Sequence, residues 1–159
     1  MFRVGDKIVH PMHGAGVIDS IVTKKVSGET REYYIMKLPV GGMLVMIPTA
    51  SSEEIGVRTI ASQEESTRLL EAIPGIEVDM ISNWNQRYRE NMTRLKSGDL
   101  LEVARVIKGL LFREKEKGLS IGERKMLHCA KQILISELVL AQDCSYDEME
   151  ILINDAMKA

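Results

Sequence analysis

The sequence lacks most of the marks that tie a chain to a particular chemistry. No apolar run reaches the roughly 18 residues that a membrane span needs, so a transmembrane helix is not expected. The first ten residues, MFRVGDKIVH, carry no hydrophobic signal segment, and the expected location is cytoplasmic. The two cysteines, Cys129 and Cys144, form no CxxC pair and read as free thiols rather than a disulfide or a metal site. No phosphate-binding glycine loop, dinucleotide fingerprint, zinc-protease helix or nucleophile elbow is present. No set of residues assembles a nucleophile, a base and an orienting group. An enzyme is therefore not expected, and no cofactor is implied. There is one tryptophan in 159 residues, and it lies in the polar stretch SNWNQRYREN.

Hydrophobic residues make up 45% and charged residues 28%, an ordinary balance for a soluble protein of one domain or two small ones. The net charge of −2 hides segregation. Residues 81–97 carry +3 and residues 105–131 carry +5, whereas 53–80 and 132–159 each carry −5. Two basic blocks inside a near-neutral chain fit either solvated helix faces or a patch for a polyanion.

The first third reads as strands. KIVH, AGVIDSIVTKK, REYYIMKL and MLVMIP are short runs rich in Val, Ile, Tyr and Met, separated by turn residues at Pro11 and Gly14, Ser27-Gly28, and Pro39 with Gly41-Gly42. The remainder reads as helices. Ser62-x-x-Glu65, Ser120-x-x-Glu123 and Ser145-x-x-Glu148 fit capping boxes, Asn83-x-x-Gln86 is a weaker version, and Asp99 follows Gly98. With breakers at Pro74-Gly75, Gly98 and Gly118, helices are expected over 63–73, 84–97, 100–117, 121–142 and 146–157. The fold class is α+β: a small barrel or strongly bent sheet over residues 1–55, then an all-α domain of about five helices over 62–159.

Few residues suggest a site. His10 and His13 flank a turn, and no Cys or carboxylate of ligand spacing accompanies them, so they read as turn residues. In MLVMIP, Met43, Val45 and Ile47 face one side and Leu44 and Met46 the other; YYIMKL alternates likewise. Apolar residues on both faces of a small sheet imply either a cover from the second domain or an exposed sticky surface. On a helix, Trp84, Tyr88, Met92 and Leu95 form one stripe, which taken alone favours a buried indole. Yet Trp84 stands at the first turn, among Arg87, Arg89 and Asn91, where it could equally stack on or wedge between bases. Periodicity does not choose between the two.

Taken in order, FRVGDKIVHPMHGAGVIDSI, EYYIMKLP, MLVMIP, GVRTI and the run from WNQRY through LKSGD to KGLSIGERKML resemble the CarD/CdnL family of bacterial transcription regulators over nearly the whole chain. The resemblance implies that the N-terminal module is a Tudor-like barrel. It would dock, largely through a strand edge, on the lobe/protrusion of the RNA polymerase β subunit, with Lys24, Val26 and Met46 at the matching positions. Some relatives have Arg where this chain has Lys24 and Met46. The helical domain would touch promoter DNA near the −10 element, at the upstream edge of the melted bubble. There Trp84 would wedge into the minor groove, Arg87 and Arg89 would grip phosphates, and Arg124 and Lys125 would add DNA contacts. The implied outcome is a stabilised open promoter complex, formed by a monomer. The competing readings are a polymerase-binding adaptor without direct DNA action and an autonomous DNA-binding protein.

Overall fold

The computed structural model describes residues 1–39, 41–78 and 83–158. Five antiparallel strands form the N-terminal sheet: β1 (Lys7–His10), β2 (Gly14–Val26), β3 (Glu29–Lys37), β4 (Leu44–Pro48) and β5 (Arg58–Thr59). Their order is β4-β3-β2-β1-β5. A one-turn helix α1 (Ser52–Ile55) lies between β4 and β5. The expected closure into a barrel is not seen, and the sheet is open. Its edge strands β4 and β5 do not pair with one another, and β5 is only two residues long. The segment 56–61, between the two expected domains, is where β5 returns to pair with β1 through Ile8–Thr59 and Val9–Arg58.

Five further helices follow: α2 (Gln63–Ala72), α3 (Trp84–Lys96), α4 (Leu100–Glu116), α5 (Ile121–Gln142) and α6 (Tyr146–Met157). Their starts obey the sequence signals. Ser62, Ser120 and Ser145 each accept the backbone N–H three residues on, and Glu65, Glu123 and Glu148 each reach back, completing three capping boxes. Asn83 accepts from the Gln86 N–H, and Asp99 from the Leu101 N–H. α3 and α4 are followed by Gly98 and Gly118, both with positive φ.

The described residues form two cores. One face of the sheet buries Ile8, Ile18, Tyr34, Met36, Leu38, Val45, Ile47 and Val57. Met43 precedes β4 and stays exposed rather than joining Val45 and Ile47. The helices bury a larger cluster centred on Ile107, Leu134 and Leu138. Among the described residues no helix is long and apolar enough to cross a membrane.

The cores are joined where α5 crosses the other face of the sheet at the β1–β2 turn. The Ala15 N–H donates to Ser136 Oγ at 2.8 Å, and Gln132 Nε2 donates to the His13 carbonyl at 3.1 Å. Gly14 has φ +92, and a Cβ there would lie 2.5 Å from Ser136 Oγ, so only glycine lets strand and helix come this close. Beside this contact the buried carboxylate of Glu137 accepts from both terminal guanidinium nitrogens of Arg58, Nη1 and Nη2, at 2.9 Å, and from the Ala61 N–H at 2.7 Å. Arg58 sits on β5 opposite Val9, so this ion pair fastens the last strand and the following segment to the middle of the helical domain.

Removing one partner of a buried ion pair strands the other. Arg58→Ala should destabilise the protein by about 3–5 kcal/mol, read from the urea unfolding midpoint. A loss under about 1 kcal/mol would show that the pair does not hold the two parts together.

Candidate nucleic-acid interface

The stripe Trp84, Tyr88, Met92 and Leu95 climbs out of the core along α3. Leu95 is buried, Met92 and Tyr88 pack at the margin, and Trp84 is 43% exposed. The indole lies nearly parallel to the Tyr88 ring, with centroids 5.0 Å apart and planes 20° from one another. Its Nε1–H donates to Ser120 Oγ at 3.2 Å, which holds it against the first turn of α5.

Beneath the indole lies a buried charge cluster. Glu123 binds Arg87 through both oxygens, at 2.8 Å to Nε and 3.3 Å to Nη2. Arg113 of α4 approaches the same carboxylate at 4.0 Å. Burial alone would raise the Glu123 pKa. The Arg87 hydrogen bond and charge, with the backbone and hydroxyl bonds of Ser120, outweigh it and hold the carboxyl below its ordinary 4.5. This corrects the expectation for Arg87: only 7% exposed, it faces inward and ties α3 to α5 rather than presenting its guanidinium to a phosphate. The reason is positional. One turn on from Trp84, its side chain faces the packed side of α3, where Glu123 offers a carboxylate.

The other expected DNA contacts lie at the surface. Arg89 is exposed on α3, about 140° round from Trp84. Arg124 and Lys125 are exposed on the same opening turns of α5 that the indole touches, and Ile121 beside them is 76% exposed. The structure thus gathers Trp84, Arg124 and Lys125 at one end of the helical domain, places Arg89 on a neighbouring face, and withdraws Arg87. Three participants were not recognised as such in the sequence. In the sequence Tyr88 stands only as part of a stripe, and Ser120 and Glu123 only as a helix cap. Nothing local announces that a carboxylate 36 positions from Arg87 will meet it.

The expected polymerase-contacting residues cluster on the sheet face opposite its core. Register places Lys24 and Val26 of β2 on the same face as Tyr33 and Ile35 of β3 and Leu44 and Met46 of β4. Lys24 Nζ lies 3.9 Å from Met46 Sδ. Leu44, Met46 and Val26 are 57%, 43% and 42% exposed. The apolar residues on both strand faces therefore have two explanations in one sheet. α5 covers this face at Val9 and Ala15, and leaves it open along β4 and the far end of β2. β4 is also a free edge.

The His10 and His13 rings meet at a tilt of 52° with centroids 4.6 Å apart, and the Met12 N–H donates to His10 Nδ1 at 3.1 Å. Burial, with the neighbouring His13, lowers the His10 pKa. Among the described residues no group of three or more His, Cys, Asp or Glu side chains could hold a metal ion.

Two family models match the chain: the CarD-like/TRCF RID domain over residues 2–61, and the CarD C-terminal domain over residues 68–154. A Bacillus subtilis (strain 168) protein, provisionally named transcription factor YdeB, is 38% identical over 138 residues, covering 87% of this chain and 90% of its own.

Because the folded state holds the Glu123 pKa below its unfolded value, the ion pair stabilises fully above pH 4.5 and fades as the pH falls through the folded value. Glu123→Gln should therefore cost about 1.5–3 kcal/mol at neutral pH, and the gap from wild type should narrow in acid. Urea midpoints across the acid range check this; a gap that is constant with pH would refute it.

Proposed function

The chain belongs to the CarD family, and from that premise we propose that it is a transcription regulator that binds the RNA polymerase β subunit and stabilises the open promoter complex. The observation that carries the reading is Trp84: a large aromatic side chain, half-exposed and held in a fixed pose, beside two exposed cations. In this reading the indole wedges into the minor groove at the upstream edge of the bubble, near the −10 element. Arg124 and Lys125 contact the backbone there, and Arg89 extends the contact along α3. Arg87 acts from inside, by fixing α3 on α5. The open sheet face around Lys24, Val26 and Met46, with the β4 edge, docks on the lobe/protrusion of the β subunit. The activity needs no catalytic group.

The charge distribution supports a tethered mode of action. A chain of net charge −2 with a few clustered cations gains little from phosphate contacts alone, for which dissociation constants of about 10⁻⁴–10⁻⁶ M are typical. Attachment to polymerase raises the local concentration to roughly millimolar, enough to fill a weak site where a bubble already exists. A ligand that bound closed and open complexes equally would shift nothing. A wedge worth about 1–3 kcal/mol in the open state alone shifts the equilibrium about 5–150-fold. Minor-groove readout is degenerate, so the effect extends across promoters and is largest where the bubble is least stable.

The decisive experiment is the lifetime of open complexes formed with cognate polymerase. Wild-type protein should lengthen it, and Trp84→Ala should return it to the value without protein. The variant should lose less than the roughly 3–5 kcal/mol that a core aromatic costs. Equal lifetimes with both proteins would refute the wedge. Met46→Glu should weaken binding to the β subunit tenfold or more, about 1.4 kcal/mol, with no change in melting temperature. Unchanged binding would place the docking surface elsewhere.

A further inference from the structure

We infer that Ser120 is a positioning residue for Trp84, held in turn by Glu123 and Arg87, so that the helix cap of α5 also sets the pose of the indole. The inference rests on the wedge reading for its function, but its geometry stands without it. A serine hydroxyl has one proton and two lone pairs. All three are in use. The Ser120 hydroxyl donates to Glu123 Oε1 at 3.2 Å, and it accepts the Glu123 N–H and the Trp84 Nε1–H, each also at 3.2 Å.

The order of these bonds matters. A hydroxyl rotor is free until a strong acceptor takes its proton, and Glu123 supplies that acceptor with a carboxylate that is itself pinned by Arg87 from α3. Once the proton points at the carboxylate, the remaining lone pairs face the two N–H groups. The chain of contacts runs Arg87, Glu123, Ser120, Trp84, and it begins and ends on α3. Stacking on Tyr88 fixes the plane of the indole, and the Ser120 bond fixes its rotation within that plane. Tyr88 alone would let the ring slide.

A wedge that is already oriented loses less freedom when it enters DNA than one that must first be immobilised, and this difference amounts to about two- to tenfold in occupancy. Ser120 touches neither DNA nor polymerase in this account. It acts only through the side chain it holds.

Trp84 is the sole tryptophan, so its fluorescence reports on this site alone. Time-resolved anisotropy of the full-length protein, without DNA, should show faster indole motion in Ser120→Ala than in wild type, with Ser120→Thr restoring the slow motion. Ser120→Ala also removes a helix cap. The control is Ser145→Ala, which removes the same capping box from α6 and should leave the indole unchanged. Unchanged indole motion in Ser120→Ala, or equal loosening in Ser145→Ala, overturns the inference. In the open-complex assay Ser120→Ala should lose about two- to tenfold of the lifetime extension. If the indole loosens but Trp84→Ala has no effect on lifetime, the positioning is real and the wedge reading is what fails. If Trp84→Ala abolishes the effect and Ser120→Ala changes neither motion nor lifetime, the wedge stands and the positioning role falls.

Discussion

Two glutamates buried in one helix govern the architecture. A carboxylate taken out of water must find cations and N–H donors, or its desolvation outweighs what folding gains. Glu123 and Glu137 lie on α5 about 21 Å apart along its axis. The first draws in Arg87 from α3, Arg113 from α4 and the cap at Ser120. The second draws in Arg58 from β5 and the Ala61 N–H. α5 is thereby the spine of the molecule, with the candidate DNA end organised around one carboxylate and the union with the sheet around the other.

This arrangement divides the sheet. Because α5 lies over the β1–β2 turn, it covers only part of the face opposite the sheet core. Leu44, Met46 and Val26 stay outside that cover, on the part of the sheet that ends at the free edge of β4. The proposed function, with a partner on the sheet and DNA at the indole, requires a fixed relation between the two surfaces. The Arg58–Glu137 pair and the close approach at Gly14 supply that relation. Under the proposed function, binding energy would come from the sheet and discrimination from the indole, so neither surface would have to be strong by itself.

Much of this was legible beforehand. Helix starts were readable because caps are local: an orphan N–H is satisfied by a side chain at most three residues away, so Ser62, Ser120 and Ser145 announce themselves. Strand faces were readable because alternation is local too. Barrel closure was not, since it depends on whether two edge strands distant in sequence come within pairing distance. The role of Arg87 was not either. It looked like a surface cation in a basic decapeptide, and only the arrival of Glu123, 36 residues later, turned it inward. The Trp84 stripe showed the same limit: its periodicity was real, but how far the first turn projects beyond the packed body is a property of the whole domain.

The short β5 and the one-turn α1 are not marked in the sequence. By itself it determined four of the five strands and the five longer helices, where each of those helices begins, which strand residues share a face, and a likeness specific enough to name a family. These are consequences of backbone hydrogen bonding and side-chain periodicity, which act over a few residues. Tertiary structure alone decided that the sheet stays open, that Arg87 is an internal strut, that Ser120 meets an indole as well as its own helix, and that the sticky face of the sheet is half covered. Each depends on groups far apart in the chain competing for the same space and the same hydrogen bonds, and that competition is settled only when the whole molecule packs.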